Sequence, residues 1–315
     1  MALESIELGG VTQWLSLRGR DRKAPILLCL HGGPGSPETP LVRKHAAGLL
    51  EESFLVVAWE QRGAGKSYHA GDGQALSLDL MLSDLLALVD WLRARFAKEK
   101  IFILGHSWGS LLGILFAQAH PEKVAAFASV GQFVAGPDNE KESYRWTLEQ
   151  ARARKVQKAI KELSGLAWYG EDPLGGDWKR AIKVERRWLY KMGGGIGHDR
   201  LSMLRFAWTI ISGPEYTFSD RLSYLKGSER SLAQLWPEVM GIDLRKSLPR
   251  LEVPAFFFLG RWDWTTPSSL ASDYLRALEA PKKDEVWFEA SAHSPCYEEP
   301  GKFGAELVRL FLGRS

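Results

Sequence analysis

Between residues 101 and 110 the chain reads Ile-Phe-Ile-Leu-Gly-His-Ser-Trp-Gly-Ser, a short apolar run that ends in GxSxG and passes into a helical pattern. An apolar run without alternation fits a strand buried on both faces. Gly105 and Gly109 allow the backbone to reverse tightly after that strand, and the residue at the tip is held in a strained conformation that exposes its side chain. Ser107 is the residue at that tip, and so the candidate nucleophile.

The same kind of run recurs at Pro25 to Leu30, Phe54 to Trp59 and Val124 to Val130, with helical spacing at Leu80 to Phe96 and Ser110 to His120 between or after them. This β-α-β-α rhythm predicts an α/β fold with a mostly parallel, doubly wound sheet. The pieces Ser5 to Leu8 and Thr12 to Leu17 alternate apolar and polar residues, which predicts an antiparallel edge. From 136 to 240 the strand rhythm stops and helical patterns such as Lys141 to Lys158 and Asp199 to Ile211 take over. Strands resume at Pro254 to Leu259 and Glu285 to Phe288, followed by a closing helix over Pro300 to Leu312. The expected organisation is a core of residues 1–135 and 241–315, with a helical cap domain of residues 136–240 inserted between its halves. Six tryptophans fall in that cap (Trp146, Trp168, Trp178, Trp188, Trp208 and Trp236), as expected of either an aromatic substrate chamber or the cap's own core.

A serine hydroxyl is a weak nucleophile at neutral pH and needs a base, which in turn needs an acid to orient it. In a fold of this kind both follow late strands, in the order serine, acid, histidine. Asp263 follows the strand ending at Leu259, and His293 follows the strand ending at Phe288. Asp243 and Asp284 are the alternatives for the acid. The developing oxyanion needs two preorganised N–H donors, one from the residue after the nucleophile and one from the loop after an earlier strand. These are Trp108 and, in His31-Gly32-Gly33-Pro34-Gly35, Gly33.

Composition excludes several other classes. The 41 basic and 38 acidic residues are interspersed, for a formal charge of +3, so no nucleic-acid partner is expected. The densest basic stretch, Arg152 to Lys161, carries apolar residues at helical spacing and reads as a solvated helix face. No apolar run approaches the ~20 residues of a membrane span, and the acidic beginning of the chain lacks the basic and apolar regions of a signal peptide. No membrane partner and a cytoplasmic location are therefore expected, with Cys29 and Cys296 as free thiols. Glu60-Gln61-Arg62-Gly63-Ala64-Gly65-Lys66-Ser67 lacks the first glycine of a phosphate loop, and no metal-ligand spacing is present, so no cofactor is expected.

HGGPG, EQRGAGKS, GHSWGS, GRWDWTTP and the late AHS together resemble the proline iminopeptidase branch of the α/β-hydrolase family, over both halves of the core. The resemblance implies a Ser-Asp-His triad under a helical cap, acting on a small-molecule or short-peptide substrate. It implies release of N-terminal residues, often proline, with related members acting on amides or esters. Members of the branch commonly read DQRG and GGSWGS where this chain has Glu60 and His106. An aminopeptidase also needs a carboxylate to hold the free α-ammonium group, and Glu215, in Gly213-Pro214-Glu215-Tyr216, is the candidate for substrate binding.

Overall fold

The structure is a computed structural model and describes residues 2–46, 48–69, 73 and 75–314. Eight strands are introduced in chain order: β1 (Ala2–Leu8), β2 (Val11–Arg18), β3 (Ile26–Leu30), β4 (Leu55–Glu60), β5 (Ile101–His106), β6 (Val124–Val130), β7 (Ala255–Gly260) and β8 (Lys283–Phe288). They form one sheet in the order β1-β2-β4-β3-β5-β6-β7-β8. The two pairings made by β2 are antiparallel and all the others are parallel. Every residue of β3, β4 and β7 is buried, as their continuous apolar runs require when helices cover both faces. The sheet is thus the mixed, largely parallel one that the rhythm of the sequence implies.

From β3 the chain first steps to β4 on one side and then returns to β5 on the other. That reversal opens a crevice at the carboxyl ends of β3 and β5, the usual place for a site in a doubly wound sheet. The helices Leu78–Phe96 and Trp108–Ala119 pack against one another, and the second starts at the carboxyl end of β5. The first is capped by Ser77, whose hydroxyl accepts from the Leu80 N–H, and it ends on left-handed Ala97.

Between β6 and β7 the chain leaves the sheet and forms five helices of eight residues or more: Gly136–Ala153, Gln157–Ser164, Trp178–Met192, Arg200–Ile211 and Phe218–Met240. Its exit and return are tied together, since Gly136 N–H donates to the Ile242 carbonyl at 3.0 Å and Ala135 bridges Asp243. The single helix expected over 141–158 is instead two, because Lys155 takes a positive φ of 54° and turns the chain between them. Phe218–Met240 is set by a capping box of Thr217 and Asp220 and continues through Pro237.

The arginine of EQRG is structural. Arg62 is fully buried and pairs with Asp84 through Nε and Nη2 at 2.7 and 2.8 Å. The same Nη2 donates to the carbonyls of Leu8 and Gly9, which holds the β1–β2 turn against the Leu78–Phe96 helix. Arg62→Ala removes the cation beside buried Asp84 and leaves it only the Gln13 Nε2 donor, so a loss of about 3–5 kcal/mol is expected in urea unfolding. A double replacement of Arg62 and Asp84 by apolar residues of matching size is expected to recover most of it.

Candidate active site

Ser107 stands between β5 and the Trp108–Ala119 helix at φ 54° and ψ −118°, outside the ordinary range for a residue with a side chain. The turn is held from several sides. Ser107 N–H donates to the Val130 carbonyl at 2.9 Å, and the Ser107 carbonyl accepts from Ser110 N–H and Oγ at 2.8 and 2.5 Å. A Cβ on Gly109 would lie 2.1 Å from the Leu30 carbonyl oxygen, so only glycine lets the helix approach β3 this closely. Here the physical demand behind the small residue of GxSxG is visible.

The structure brings Asp263 and His293 together. His293 Nδ1 donates to Asp263 Oδ2 at 2.9 Å, with both side chains buried. Asp263 Oδ1 accepts the N–H groups of Thr265 and Thr266 at 2.9 and 3.0 Å, and Thr266 Oγ1 donates to Oδ2 at 3.0 Å. These donors fix the orientation of the carboxylate, which in turn fixes the imidazole with its proton on Nδ1. Nε2 is then the free basic nitrogen. The other two aspartates considered for the acid are engaged elsewhere: Asp243 caps a short helix and pairs with Arg245 at 2.8 Å, and Asp284 lies on the edge strand β8, 3.9 Å from Arg309.

Ser107 and His293 share the wall of a cavity of about 1010 Å³, which is also lined by Gly33 and Trp108. Trp108 is the first residue of its helix, where an N–H has no carbonyl one turn back. Gly33 has a φ of 119°, a conformation that favours glycine. Gln61 joins the two loops that carry these groups. It accepts from Trp108 Nε1 at 2.9 Å and donates to the His31 carbonyl at 3.2 Å. His31 accepts the Gln61 N–H on Nε2 at 3.2 Å and approaches the Gly32 carbonyl through Nδ1 at 2.8 Å, which defines its tautomer. Burial lowers the His31 pKa to about 4, so it stays neutral.

The sequence reading did not single out Glu38. Its carboxylate accepts from His106 Nδ1 at 2.6 Å and from the Tyr297 hydroxyl at 2.8 Å, and the Gly32 N–H lies 3.4 Å away. His106 donates its other nitrogen to the His293 carbonyl at 3.0 Å. One buried pair therefore links the glycine loop, the serine turn and the backbone of the base. Burial opposes both charges, yet each overcomes the other's penalty: Glu38 holds His106 above its usual range and His106 holds Glu38 below its own.

The contribution of this pair to stability has a defined pH window. It is complete between the ordinary values of 4.5 and 6.5, is lost as pH falls through the lowered value of Glu38, and is lost as pH rises through the raised value of His106. Thermal melting of Glu38→Gln should therefore fall furthest below the parent inside that window, with the gap closing above it. A gap that is constant with pH would show that the two groups are not ionised together.

Both departures from the family pattern prove to be partnered. His106 is held by Glu38. Glu60 is buried and accepts from Thr39, from the Tyr216 hydroxyl and from the Lys66 N–H at 2.8, 2.7 and 2.6 Å, which ties the helical insert to β4. Burial pushes Glu60 up to about 7 against these three donors. Lys66 pairs with Asp220 and lies over Trp14, engaged within the protein.

Glu215 is not where the sequence reading expected it. Its carboxylate pairs with Arg43 at 2.5 Å and is not part of the cavity wall. Besides Glu38, the wall carries the buried carboxylate of Glu140, which accepts from Arg186 Nη2 and from the Tyr169 hydroxyl, both at 2.5 Å. Arg186 also pairs with Glu185, which is fully buried and raised by that burial. Two carboxylates thus share one guanidinium. Of the six tryptophans of the insert only Trp236 lines the cavity. Trp146 stacks on Trp264 at 5.2 Å, Trp188 donates to Glu162 at 2.7 Å, and Trp208 faces solvent.

Comparison with known proteins agrees with this architecture. The family described as the alpha/beta hydrolase fold matches residues 25–300. A probable aminopeptidase of Bacillus subtilis (strain 168), YbaC, is 33% identical over 311 residues, covering 98% of this chain and 95% of the relative. A proline iminopeptidase of Heyndrickxia coagulans is 25% identical over 294 residues, covering 89% and 88%. Among solved structures, a proline iminopeptidase-related protein of Thermus thermophilus superimposes with a TM-score of 0.68 at 18% identity, covering 99% of this chain and 97% of that one. The esterase EaEST of Exiguobacterium antarcticum does so with a TM-score of 0.67 at 17% identity, covering 98% of each. An eight-stranded sheet with its crevice at β3 and β5, and sequence similarity across nearly the whole chain, make this protein a member of the α/β-hydrolase family, similar to its aminopeptidase and proline iminopeptidase members.

Proposed function

We propose that the protein is a serine hydrolase that works through an acyl-enzyme, with residues 1–135 and 241–315 as catalytic core and 136–240 as cap. Ser107 Oγ attacks the substrate carbonyl while His293 Nε2 takes its proton and Asp263 holds the imidazole. The N–H groups of Gly33 and Trp108 receive the developing oxyanion. The imidazolium then protonates the leaving amine or alcohol, and the same histidine activates the water that releases the acyl group. The observation that carries this reading is the 2.9 Å bond between His293 and Asp263 on one cavity with a serine at positive φ.

The first choice of substrate is a peptide or amide with a free N-terminus, as in proline-type aminopeptidases. Its support is Glu140, a buried carboxylate on the cavity wall that shares the Arg186 guanidinium with Glu185 and offers an acceptor for an ammonium group. The second reading is a carboxylesterase for hydrophobic acyl groups, favoured by the many apolar side chains around Ser107. Proline β-naphthylamide, its N-blocked form and p-nitrophenyl esters separate the two, because only the aminopeptidase requires the free amine. Glu140→Gln is expected to raise KM about tenfold for the free-amine substrate, and to leave the N-blocked amide and the esters unchanged. Equal effects on all three would remove Glu140 from amine recognition. A non-catalytic binding protein on the same scaffold is the remaining alternative, and failure of a fluorophosphonate probe to label Ser107 would favour it. Cys29 and Cys296, buried and free, accord with a cytoplasmic setting.

A further inference from the structure

The helix Arg200–Ile211 is apolar over most of its circumference, with a narrow polar band of Ser202, Arg205 and Thr209. Met203, Phe206 and Ile210 turn towards the cavity, whereas Leu201, Leu204, Trp208 and Ile211, spaced three or four residues apart, share the adjoining outer face and are exposed, with Ile211 at the boundary of the two. The stripe continues onto Phe218–Met240 through Phe218 and Leu225. Of the twelve large hydrophobic side chains exposed among the described residues, eight lie between positions 196 and 225, with Trp208 at 69% and Phe218 at 74%. Scattered apolar residues need no explanation, but a concentration of this kind marks an interaction surface.

Two features identify what it meets. First, the patch is the rim of the cavity: Ile211 and Leu225 are exposed and also line the chamber that holds Ser107. A second copy of the chain seated there would close the route to Ser107, whereas an apolar phase would open onto it. Second, the charge at its edge is positive. Arg200, Arg205 and Lys226 are exposed beside the stripe. The carboxylates of the same stretch are engaged, Asp199 in capping its helix, Glu215 with Arg43, Asp220 with Lys66 and Glu229 with Lys183. Aromatic and aliphatic side chains flanked by exposed cations are the pattern of a helix that lies in the interface of an anionic lipid surface.

We infer that the 196–225 surface docks on an anionic lipid surface, so that an apolar substrate reaches Ser107 from the interface. No helix among the described residues is long and apolar enough to cross a membrane, so this is attachment to a surface. The lipid docking stands on the surface alone, and only the delivery of an apolar substrate rests on the serine-hydrolase reading in its second, esterase form.

The test is flotation of the full chain with vesicles of phosphatidylcholine alone, and with vesicles in which about a quarter of the lipid is phosphatidylglycerol. Binding is expected to the anionic vesicles, to weaken as salt is raised, and to fall about tenfold in Trp208→Ser/Phe218→Ser. Both side chains are exposed, and an unchanged melting temperature verifies that the variant is folded. Absence of binding to anionic vesicles overturns the inference, as does binding that the double variant retains. So does a dimer in sedimentation that the variant converts to monomer without any vesicle binding, since the surface would then belong to a second copy. Labelling of Ser107 by a fluorophosphonate is read separately without lipid, so failure of the hydrolase reading and failure of the lipid docking are told apart.

Discussion

Ser107→Ala is expected to lower kcat by about 10⁵-fold or more on every ester or amide that the parent enzyme turns over, with the melting temperature nearly unchanged. The size follows from what the hydroxyl supplies. Without Oγ there is no acyl-enzyme, and Gly33, Trp108 and the cavity retain only the ability to bind and polarise the carbonyl. Stability should hold because the contacts of Ser107 that shape the turn are made by its backbone, to Val130 and Ser110, and alanine keeps them. Relief of strain is not expected either, since alanine must adopt the same positive φ. Retained turnover in this variant would sink the serine mechanism.

Asp263→Asn is expected to cost about 10⁴-fold in kcat while the fold stays intact. The reason lies in the donors around the carboxylate. Oδ1 accepts two backbone N–H groups, from Thr265 and Thr266, so the asparagine oxygen must occupy that position. The amide NH₂ then faces His293 Nδ1 and donates where the carboxylate accepted. His293 is driven to the tautomer with its proton on Nε2, which cannot take a proton from Ser107. Thr266 Oγ1, 3.2 Å from His293 Nδ1, gives the variant a second donor at the same nitrogen and reinforces that tautomer. Activity that recovers at high pH would argue instead for a purely electrostatic role of Asp263.

The linear chain disclosed those features whose signal is local. Strands β3 to β7 are continuous apolar runs, the serine turn is a run of ten residues, and Asp263 and His293 stand directly after late strands. The break at Lys155 was hidden because helical spacing continues across it, and the backbone conformation that separates the two helices leaves no mark in the apolar pattern. Glu38 and Gln61 were hidden for a different reason. Glu38 reaches His106 and Tyr297 across 68 and 259 residues of chain, and Gln61 reaches Trp108 across 47. No periodicity or spacing encodes such contacts. Glu215 was chosen from its place in a cap loop, but its carboxylate pairs with Arg43 away from the cavity, while Glu140 sits in an ordinary amphipathic helix and meets Arg186, 46 residues away.

The sequence by itself determined the fold class, the serine at the turn, and which aspartate and histidine follow the right strands, because strand burial and tight turns are set by neighbouring residues. Tertiary structure decided which carboxylate lines the chamber, which tryptophans leave it, and how a buried Glu38–His106 pair spans three loops, because these depend on packing between segments distant in the chain. It also decided which apolar residues of the helix Arg200–Ile211 turn to the cavity and which are left uncovered.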